Sequence, residues 1–284
     1  MTAFSFPATI AIDWSGAKGS RHKGIAIAEA RGEEAPMLVR PDHVWSRTEV
    51  LDWLVDRLDR APALVGFDFS FAPPFVERRA YLPGEKVPGD GRSFWEYVDA
   101  VSDDEDLGAA GFLETRHRKH FYFGKADGTK ADYMHFRQCE QALNAAGGGK
   151  AATVYDAIGA AQVAKASFAG MRLLHRLGQR FAVWPFDDLR PGRSAIVEIY
   201  GRLYIRRAGF PGRKLRTLRD LNRALAALDS PPVVLDREPS DHETDALVTA
   251  AGMRYVLRTE PSAFSPPGLS PEIARTEGWT FGVI

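Results

Sequence analysis

The sequence predicts an α/β fold, a mixed β-sheet flanked by helices, with a helical or loop insertion after the fourth strand. Two observations carry this prediction. Short apolar, β-branched runs alternate with stretches of helical spacing along most of the 284 residues. A segment rich in proline and glycine, residues 72–150, interrupts this alternation after the fourth run. We therefore expect a single domain over residues 1–284, with residues 72–150 forming an insertion or lid within it.

The composition is that of a folded globular chain. Hydrophobic residues make up 45% and charged residues 26%, and no apolar stretch reaches the roughly 18 residues of a membrane-spanning helix, so we expect no membrane contact. The 37 basic residues balance the 37 acidic ones, so any attraction for a polyanion has to come from local patches. The only cysteine, Cys139, cannot form an intramolecular disulfide, which fits a reducing compartment and a cytoplasmic location.

The first part of the chain predicts four strands and one helix. Residues 48–58 carry apolar side chains at helical spacing, and Thr48 is placed to cap that helix. A strand reached through a helix is most simply parallel to the strand before it. The strands are predicted at residues 8–13, 24–29, either 37–40 or 43–46, and 63–69, the first two being antiparallel.

The second part of the chain adds helices and two further strands. Ser240 and Glu243 form the Ser-x-x-Glu capping-box pattern, which makes Ser240 the N-cap of the last long helix. The predicted elements are a helix or broken pair of helices at 155–177, strands at 181–184 and 195–200, helices at 215–228 and 241–257, and an apolar tail at 279–284 that returns to the sheet or covers the core.

Three predicted strands carry a carboxylate inside an otherwise apolar run. Asp13 ends the first strand, Asp68 nearly ends the fourth, and Glu198 lies in a later one. A lone buried carboxylate is costly unless a cation or hydrogen-bond donors compensate for it. In an open α/β sheet, functional groups gather at the carboxyl ends of the strands, where Asp13 and Asp68 would be neighbours if the first and fourth strands pair. The pattern favours one shared cation.

The final helix supplies two further carboxylates. Asp241 and Asp245 are four residues apart, so they share one side of the helix near its start. A helix N-terminus also favours anions. Oxygen-only clusters of this kind suit Mg²⁺ or Mn²⁺ rather than zinc. The sequence therefore predicts a magnesium or manganese site.

Each acid also has a separate explanation that needs no metal. Asp13 can cap the turn that follows it, and Asp68 can cap the next segment. Asp241 can be a first-turn acid of its helix, and Glu198 can pair with one of the arginines that follow it. Taken jointly, the five acids favour the shared site.

Seven short strings span nearly the whole chain: AIDWSGA, GFDFSFAPP, YDAIGAAQVAKASFAGM, VWPFD, VEIYGR, DALVTAAGM and EGWTFGV. They are similar to the motifs of a bacterial family of predicted RNase H-like nucleases, and the order of the elements resembles the RNase H-like superfamily, including the RuvC-like resolvases. Two positions depart from the family pattern. Gly201 stands where proline is expected after Glu-Ile-Tyr, and Ala164-Lys165 replaces a stretch richer in glycine.

The resemblance implies two-metal phosphodiester hydrolysis of a nucleic acid or nucleotide. Asp13 would bridge two Mg²⁺ or Mn²⁺ ions, and Asp68 and Asp245 would hold one ion each. Glu198 and Asp241 would be outer or alternate ligands. The positions of this chain that match the family's acidic positions are Asp13, Asp68, Glu198, Asp241 and Asp245.

Two basic segments are candidates for substrate contacts. Residues 202–223 are strongly basic and opposed only by Asp220, which suits phosphates. Residues 116–123 combine cations with aromatic rings that could stack on unpaired bases. The first can instead be a solvated helix surface, and the rings of the second can instead be core residues. The proposed substrate-binding residues are Arg116, Arg118, Lys119, Arg202, Arg206 and Lys214.

Two other functions stay open at this point. The turn at residues 13–16 resembles the phosphate-binding hairpin of actin-like kinases and ATPases, although the chain is short for their duplicated architecture and lacks a second acidic hairpin. A Walker-type phosphate loop is absent from the sequence. The other alternative is a non-catalytic RNase H-like binding module whose acids are structural. Turnover that depends on Mg²⁺ or Mn²⁺ would favour the hydrolase, ATP binding without phosphodiester cleavage would favour the actin-like alternative, and nucleic-acid or protein binding unaffected by chelation would favour the module.

Overall fold

The protein contains a six-stranded mixed β-sheet. The computed structural model describes residues 4–148, 151–158 and 163–284. The strands are β1 (Ala8–Asp13), β2 (Ala26–Arg31), β3 (Met37–Leu38), β4 (Leu64–Phe67), β5 (Ala182–Val183) and β6 (Ala195–Glu198). Their order is β3-β2-β1-β4-β6-β5. β2 is antiparallel to β1 and β3, whereas β1, β4, β6 and β5 are parallel neighbours.

This arrangement confirms the RNase H-like topology that the sequence predicts. The first three strands form an antiparallel meander, and a helix then returns the chain so that β4 lies parallel to β1. Ile12 is aligned with Phe67, and the Asp68 N–H donates to the Ile12 carbonyl at 3.1 Å. The carboxyl ends of β1 and β4 therefore lie side by side.

Helices cover both sides of the sheet. They are α1 (Arg47–Arg60), α2 (Gly91–Ala100), α3 (Gln138–Ala145), α4 (Val163–Leu177), α5 (Gly201–Arg207), α6 (Leu218–Ala227), α7 (Asp241–Thr259) and α8 (Pro271–Thr276). Successive strand residues point to opposite sides. Ile10 and Ile12 pack with apolar residues of α1, α2 and α4, whereas Ala11 packs with those of α5, α6 and α7. The side of the sheet covered by α7 holds the candidate site.

The helix boundaries differ from the prediction at several places. α1 is capped by Ser46, two residues before Thr48, because Ser46 and Glu49 form a reciprocal capping box. α6 begins at Leu218 rather than at residue 215, because Thr217 caps it. Of the helix predicted at 155–177, residues 155–158 are not helical, 159–162 lie outside the described residues, and Val163–Leu177 form α4. The predicted N-cap of α7, Ser240, is confirmed. The short helices α5 and α8 have no counterpart in the prediction.

The strands follow the prediction with small shifts. β2 begins two residues later than predicted, and β3 occupies the first of the two predicted positions. In the second position Trp45 forms an isolated bridge with His22. The C-terminal tail returns to the sheet, because Thr280 pairs with Glu198 in a single parallel bridge.

The predicted insertion at 72–150 packs against the rest of the sheet domain over residues 72–148, the part of it that the structure describes. Its helix α2 lies on α4. The rings of Phe94 and Phe112 stand 6.1 and 4.9 Å from the ring of Phe168 in α4, and all three are fully buried. The insertion therefore contributes to the same apolar cluster as the sheet. None of the helices in the described part of the chain combines the length and apolar character needed to cross a bilayer.

Candidate acidic site at the strand ends

Asp13 and Asp68 lie next to each other at the ends of β1 and β4. Asp13 is the last residue of β1, and Asp68 directly follows β4. Because the two strands are parallel and in register, both carboxylates leave the same edge of the sheet. Alternation along each strand directs both toward α7. The predicted pairing of these two acids is confirmed.

Helix α7 brings His242 and Asp245 to the same place. The capping box of Ser240 and Glu243 fixes the start of the helix. The His242 imidazole hydrogen-bonds through Nδ1 to Asp13 Oδ2 at 2.5 Å. This bond raises the pKa of His242. Burial raises the pKa of Asp13, against which the bond from His242 acts.

Three carboxylates repel one another at this site. Burial, followed by the charges of Asp13 and Asp245, raises the pKa of Asp68 well above its usual value. Burial and the charge of Asp13 raise the pKa of Asp245 to about 7. In the part of the chain that the structure describes, neither Asp68 nor Asp245 has a Lys, Arg or His partner within ion-pair distance. Without a cation, the cluster therefore favours the protonated forms of Asp68 and Asp245 over adjacent buried charges.

Gly201 supports this cluster through its backbone. It begins α5, and its backbone N–H lies near enough to Asp68 to counteract the rise in the pKa of that carboxyl. A Cβ atom at Gly201 would lie 4.0 Å from the Cβ of Asp245. Proline, which the resemblance leads us to expect here, would suit the first helical position but has no N–H to offer Asp68.

Glu198 lies on the other side of the sheet. It is aligned with Phe67, one residue before Asp68, so its side chain points away from α7. Its oxygens accept hydrogen bonds from Arg137 (2.6 and 2.5 Å), from the Phe71 N–H (2.8 Å) and from the Thr280 hydroxyl (2.7 Å). Its charge still adds to the rise in the pKa of Asp68. The structure does not bring the Glu198 oxygens to the other carboxylates.

Asp241 lies at the rim of the site. Its side chain is partly exposed and forms an ion pair with Lys214, which lowers the pKa of Asp241. Its charge raises the pKa of Asp245 one helical turn later. Asp241 is thus an electrostatic neighbour of the cluster rather than one of its uncompensated members.

The basic residues predicted to contact substrate divide into two groups. Arg202 and Arg206 are exposed on α5 and make no ion pair in the described residues, and Lys214 stands at the rim of the acidic site. In the insertion, Arg118 pairs with Asp127 at 2.7 Å, and Lys119 pairs with Glu85 at 2.7 Å. Arg116 is exposed, with Nε 3.4 Å from the Tyr97 hydroxyl.

The aromatic rings beside those insertion residues are not free to stack on bases. Phe121 is fully buried and Tyr122 is 8% exposed. The guanidinium of Arg118 covers the ring of Phe123 at 4.2 Å from its centroid. These rings pack within the insertion, as expected from the alternative in which the rings of residues 116–123 are core residues rather than base-stacking ones.

The donors of the site fit a hard divalent cation, but they do not surround one. Across residues 4–148, 151–158 and 163–284, no three His, Cys, Asp or Glu side chains form a metal-ligating group. The three carboxylates Asp13, Asp68 and Asp245 nevertheless offer only oxygen ligands, which Mg²⁺ and Mn²⁺ prefer. A divalent cation would offset the cost of burial and the repulsion that raise the pKa values of Asp68 and Asp245. It would also compete with His242 for Asp13.

Two contributors to the site have only weak signals in the sequence. His242 is the only imidazole close in sequence to a predicted ligand, but no motif indicates its contact with Asp13. Gly201 is visible only as a departure from the family pattern. No family model, curated protein or solved structure matches the chain significantly.

Proposed function

We propose that this protein is a divalent-metal-dependent phosphodiester hydrolase that acts on a nucleic acid or nucleotide. The observation that carries the proposal is the mutual repulsion of Asp13, Asp68 and Asp245 at the strand ends, where neither Asp68 nor Asp245 has a cationic partner among the described residues. Adjacent buried carboxylates are costly unless something compensates for their charge. A bound Mg²⁺ or Mn²⁺ would supply that compensation.

In this proposal Asp13, Asp68 and Asp245 are the metal ligands. The bound ions would activate a water molecule as nucleophile and stabilise the charge on the leaving oxygen. Asp13 lies on β1, the neighbour of β4 in the sheet, and the backbone N–H of Gly201 acts electrostatically on Asp68. Glu198 is left out of the ligand set because its oxygens are engaged by Arg137, and Asp241 is an outer residue.

The proposed substrate contacts are the cations on the α5–α6 side. Lys214 and Arg216 act electrostatically on Asp241, which places positive charge at the rim of the acidic cluster. Arg202 and Arg206 extend this charge along α5, whose first residue contacts Asp68. Such a rim suits a phosphodiester backbone, because phosphate contacts are made largely by Arg and Lys. Arg118 and Lys119 are engaged by acids of the insertion and contribute less.

The proposal includes membership of the bacterial family of RNase H-like nucleases. It is supported by the seven motif strings together with the strand order of the sheet. A cytoplasmic setting is part of the same proposal. The single cysteine, Cys139, is buried and free, as is usual in a reducing compartment.

Mn²⁺ binding by the intact protein at pH 8 tests the metal site directly. Calorimetry or electron paramagnetic resonance should detect binding to the wild type and a loss of at least about tenfold in affinity for Asp68→Asn. Asp241→Asn is the matched control, because it removes the same charge at the rim and should stay within about twofold. Equal Mn²⁺ affinity in Asp68→Asn and the wild type would contradict the proposal.

Cleavage assays test the reaction. We expect hydrolysis only in the presence of Mg²⁺ or Mn²⁺. The substrates to test are single-stranded and double-stranded DNA and RNA, and a small phosphodiester. The activity should disappear with a chelator and in Asp13→Asn. Metal binding without turnover on any of these substrates would instead favour a binding module, and ATP binding without phosphodiester cleavage would favour the actin-like alternative.

A further inference from the structure

A cavity of about 310 Å³ opens beside the acidic site. It lies between the β2–β3 region, the loop at residues 40–45 and the start of α7. Its size is at the lower end of the range for small-molecule pockets. We call it the β3 cleft, and its charged and imidazole side chains are Lys23, Arg40, Asp42, His43, Arg237, His242 and Glu243.

The β3 cleft carries positive charge that no acid neutralises. Arg237 is paired with Asp42 at 2.6 Å and with Glu243 at 2.6 Å, which accounts for both acids of the cleft. Lys23 and Arg40 are exposed and make no ion pair within the described residues. The cleft is therefore net positive in a chain whose formal net charge is zero.

Arg40 is held in place at the mouth of the cleft. Its guanidinium lies over the ring of the buried Trp45, 5.1 Å from the centroid. Arg40 and Asp42 have φ angles of 50° and 64°, in the left-handed region that residues other than glycine rarely adopt. Strain of this kind persists where the surrounding structure enforces it, and it is concentrated at ligand sites. The loop thus presents Arg40 in a fixed orientation.

The β3 cleft is connected to the acidic site through His242. This side chain lines the cleft, and its Nδ1 hydrogen-bonds to Asp13. Its opposite edge faces Gly24, where a Cβ atom would lie 3.5 Å from His242 Nε2. The cleft also has apolar wall residues, among them Leu38, Val39 and Pro41. A ligand with an anionic end and an apolar body would match these walls.

We infer that the β3 cleft binds a mononucleotide unit, with its phosphate between Lys23 and Arg40 and its base or sugar against the apolar wall. The choice of a nucleotide rests on the proposed function, whereas the phosphate site rests on the cleft alone. Charge-assisted hydrogen bonds from a guanidinium and an ammonium are strong phosphate contacts. A unit bound here adjoins the phosphodiester that the neighbouring carboxylates would receive.

Calorimetric binding in the presence of EDTA tests the inference without any turnover. The probes are adenosine 5′-monophosphate, adenosine and inorganic phosphate. The monophosphate should bind, and the other two should each bind at least about tenfold more weakly, because each offers only one of the two contacts. Inorganic phosphate that binds as tightly as the monophosphate would overturn the nucleotide assignment.

A pair of charge-matched variants locates the site. Lys23→Gln combined with Arg40→Gln should weaken monophosphate binding at least about tenfold. The control is Arg60→Gln combined with Lys125→Gln, two exposed cations away from the cleft, and it should bind as the wild type does. Equal affinity in both double variants overturns the inference.

The Asp68→Asn variant separates this inference from the proposed hydrolase. Monophosphate binding in EDTA should survive in Asp68→Asn, because that carboxyl does not line the cleft. Monophosphate binding by the wild type, together with no metal-dependent cleavage by the wild type, supports the cleft and refutes only the hydrolase. Cleavage that persists while the monophosphate fails to bind the wild type refutes only the cleft.

Discussion

Arg137 of the insertion and Glu198 of β6 form a bidentate ion pair, with Nη1–Oε2 at 2.6 Å and Nη2–Oε1 at 2.5 Å. Both side chains are buried. The guanidinium also donates to Glu140 through Nε at 2.9 Å. Glu198 further accepts hydrogen bonds from the Phe71 N–H and the Thr280 hydroxyl. The pair thus joins the insertion, the central sheet and the C-terminal tail.

Replacing Arg137 with Met should destabilise the fold by about 3–5 kcal/mol, because Glu198 and Glu140 would keep buried charges without a counter-charge. Urea denaturation monitored by circular dichroism measures this change. Arg116→Met, in the same insertion but exposed, should shift the free energy of unfolding by no more than about 0.5 kcal/mol. Similar losses in both variants would show that the ion pair does not stabilise the native state.

The sequence predicts that Glu198 is a buried strand residue, but not which side of the sheet its carboxylate faces. The string AIVEIY identifies a strand with a buried carboxylate, and both features are present. Which side of the sheet the carboxylate points to depends on register, and a shift of one residue reverses it. The sequences of β4 and β6 do not determine how the two strands align with each other. The compensating Arg137 lies 61 residues away along the chain, so no local pattern links the two.

The pairing of Asp13 with Asp68 could be predicted because it needs only topology. A helix between two strands makes them parallel, and an acid at the end of each then lies at the same edge. The start of α7 could also be read, from the capping box at Ser240. The contact of His242 with Asp13 depends on how α7 is placed over the sheet, which is a matter of tertiary packing.

Metal affinity should rise with pH. Metal binding requires ionised carboxylates, and the pKa of Asp245 is about 7. Between pH 6 and pH 8 Asp245 therefore changes from mostly protonated to mostly ionised, and the Mn²⁺ affinity of the wild type should increase at least about tenfold. Asp241→Asn should keep this dependence, whereas Asp245→Asn should bind weakly at both pH values. An affinity that is flat from pH 6 to 8 would contradict a role for Asp245 as ligand.

The buried imidazole of His117 should make the fold sensitive to acid. Burial lowers the pKa of His117 to about 4, and the Tyr97 hydroxyl hydrogen-bonds to its Nε2 at 2.9 Å. In the unfolded chain the pKa of histidine is about 6.5. Between these values the unfolded state binds more protons, so stability is complete above pH 6.5 and falls as the pH drops toward 4.

Urea denaturation at several pH values from 4.5 to 7.5 measures this effect. His117→Gln should reduce the slope of the unfolding free energy against pH, because one of the groups that gain a proton on unfolding is removed. Arg60→Gln, at an exposed residue of α1, is the control and should keep the wild-type slope. An unchanged slope in His117→Gln would contradict the prediction.

The loop that follows Asp13 should tolerate no side chain at Gly16. A Cβ atom there would lie 2.3 Å from the Ala166 nitrogen and 2.7 Å from the Lys165 carbonyl carbon, both backbone atoms of α4. Backbone cannot yield as a flexible side chain can, so Gly16→Ala should lower stability by about 1–3 kcal/mol. Gly24→Ala, on the same β1–β2 connection, would meet only side-chain atoms at 3.4–3.5 Å and should be nearly neutral. Thermal denaturation distinguishes the two variants. Equal stability of the two variants would show that the loop does not pack on α4 as described.

The same pair of variants should differ in metal binding. Because Gly16 lies three residues after Asp13, its displacement should weaken Mn²⁺ binding, whereas Gly24→Ala should retain it.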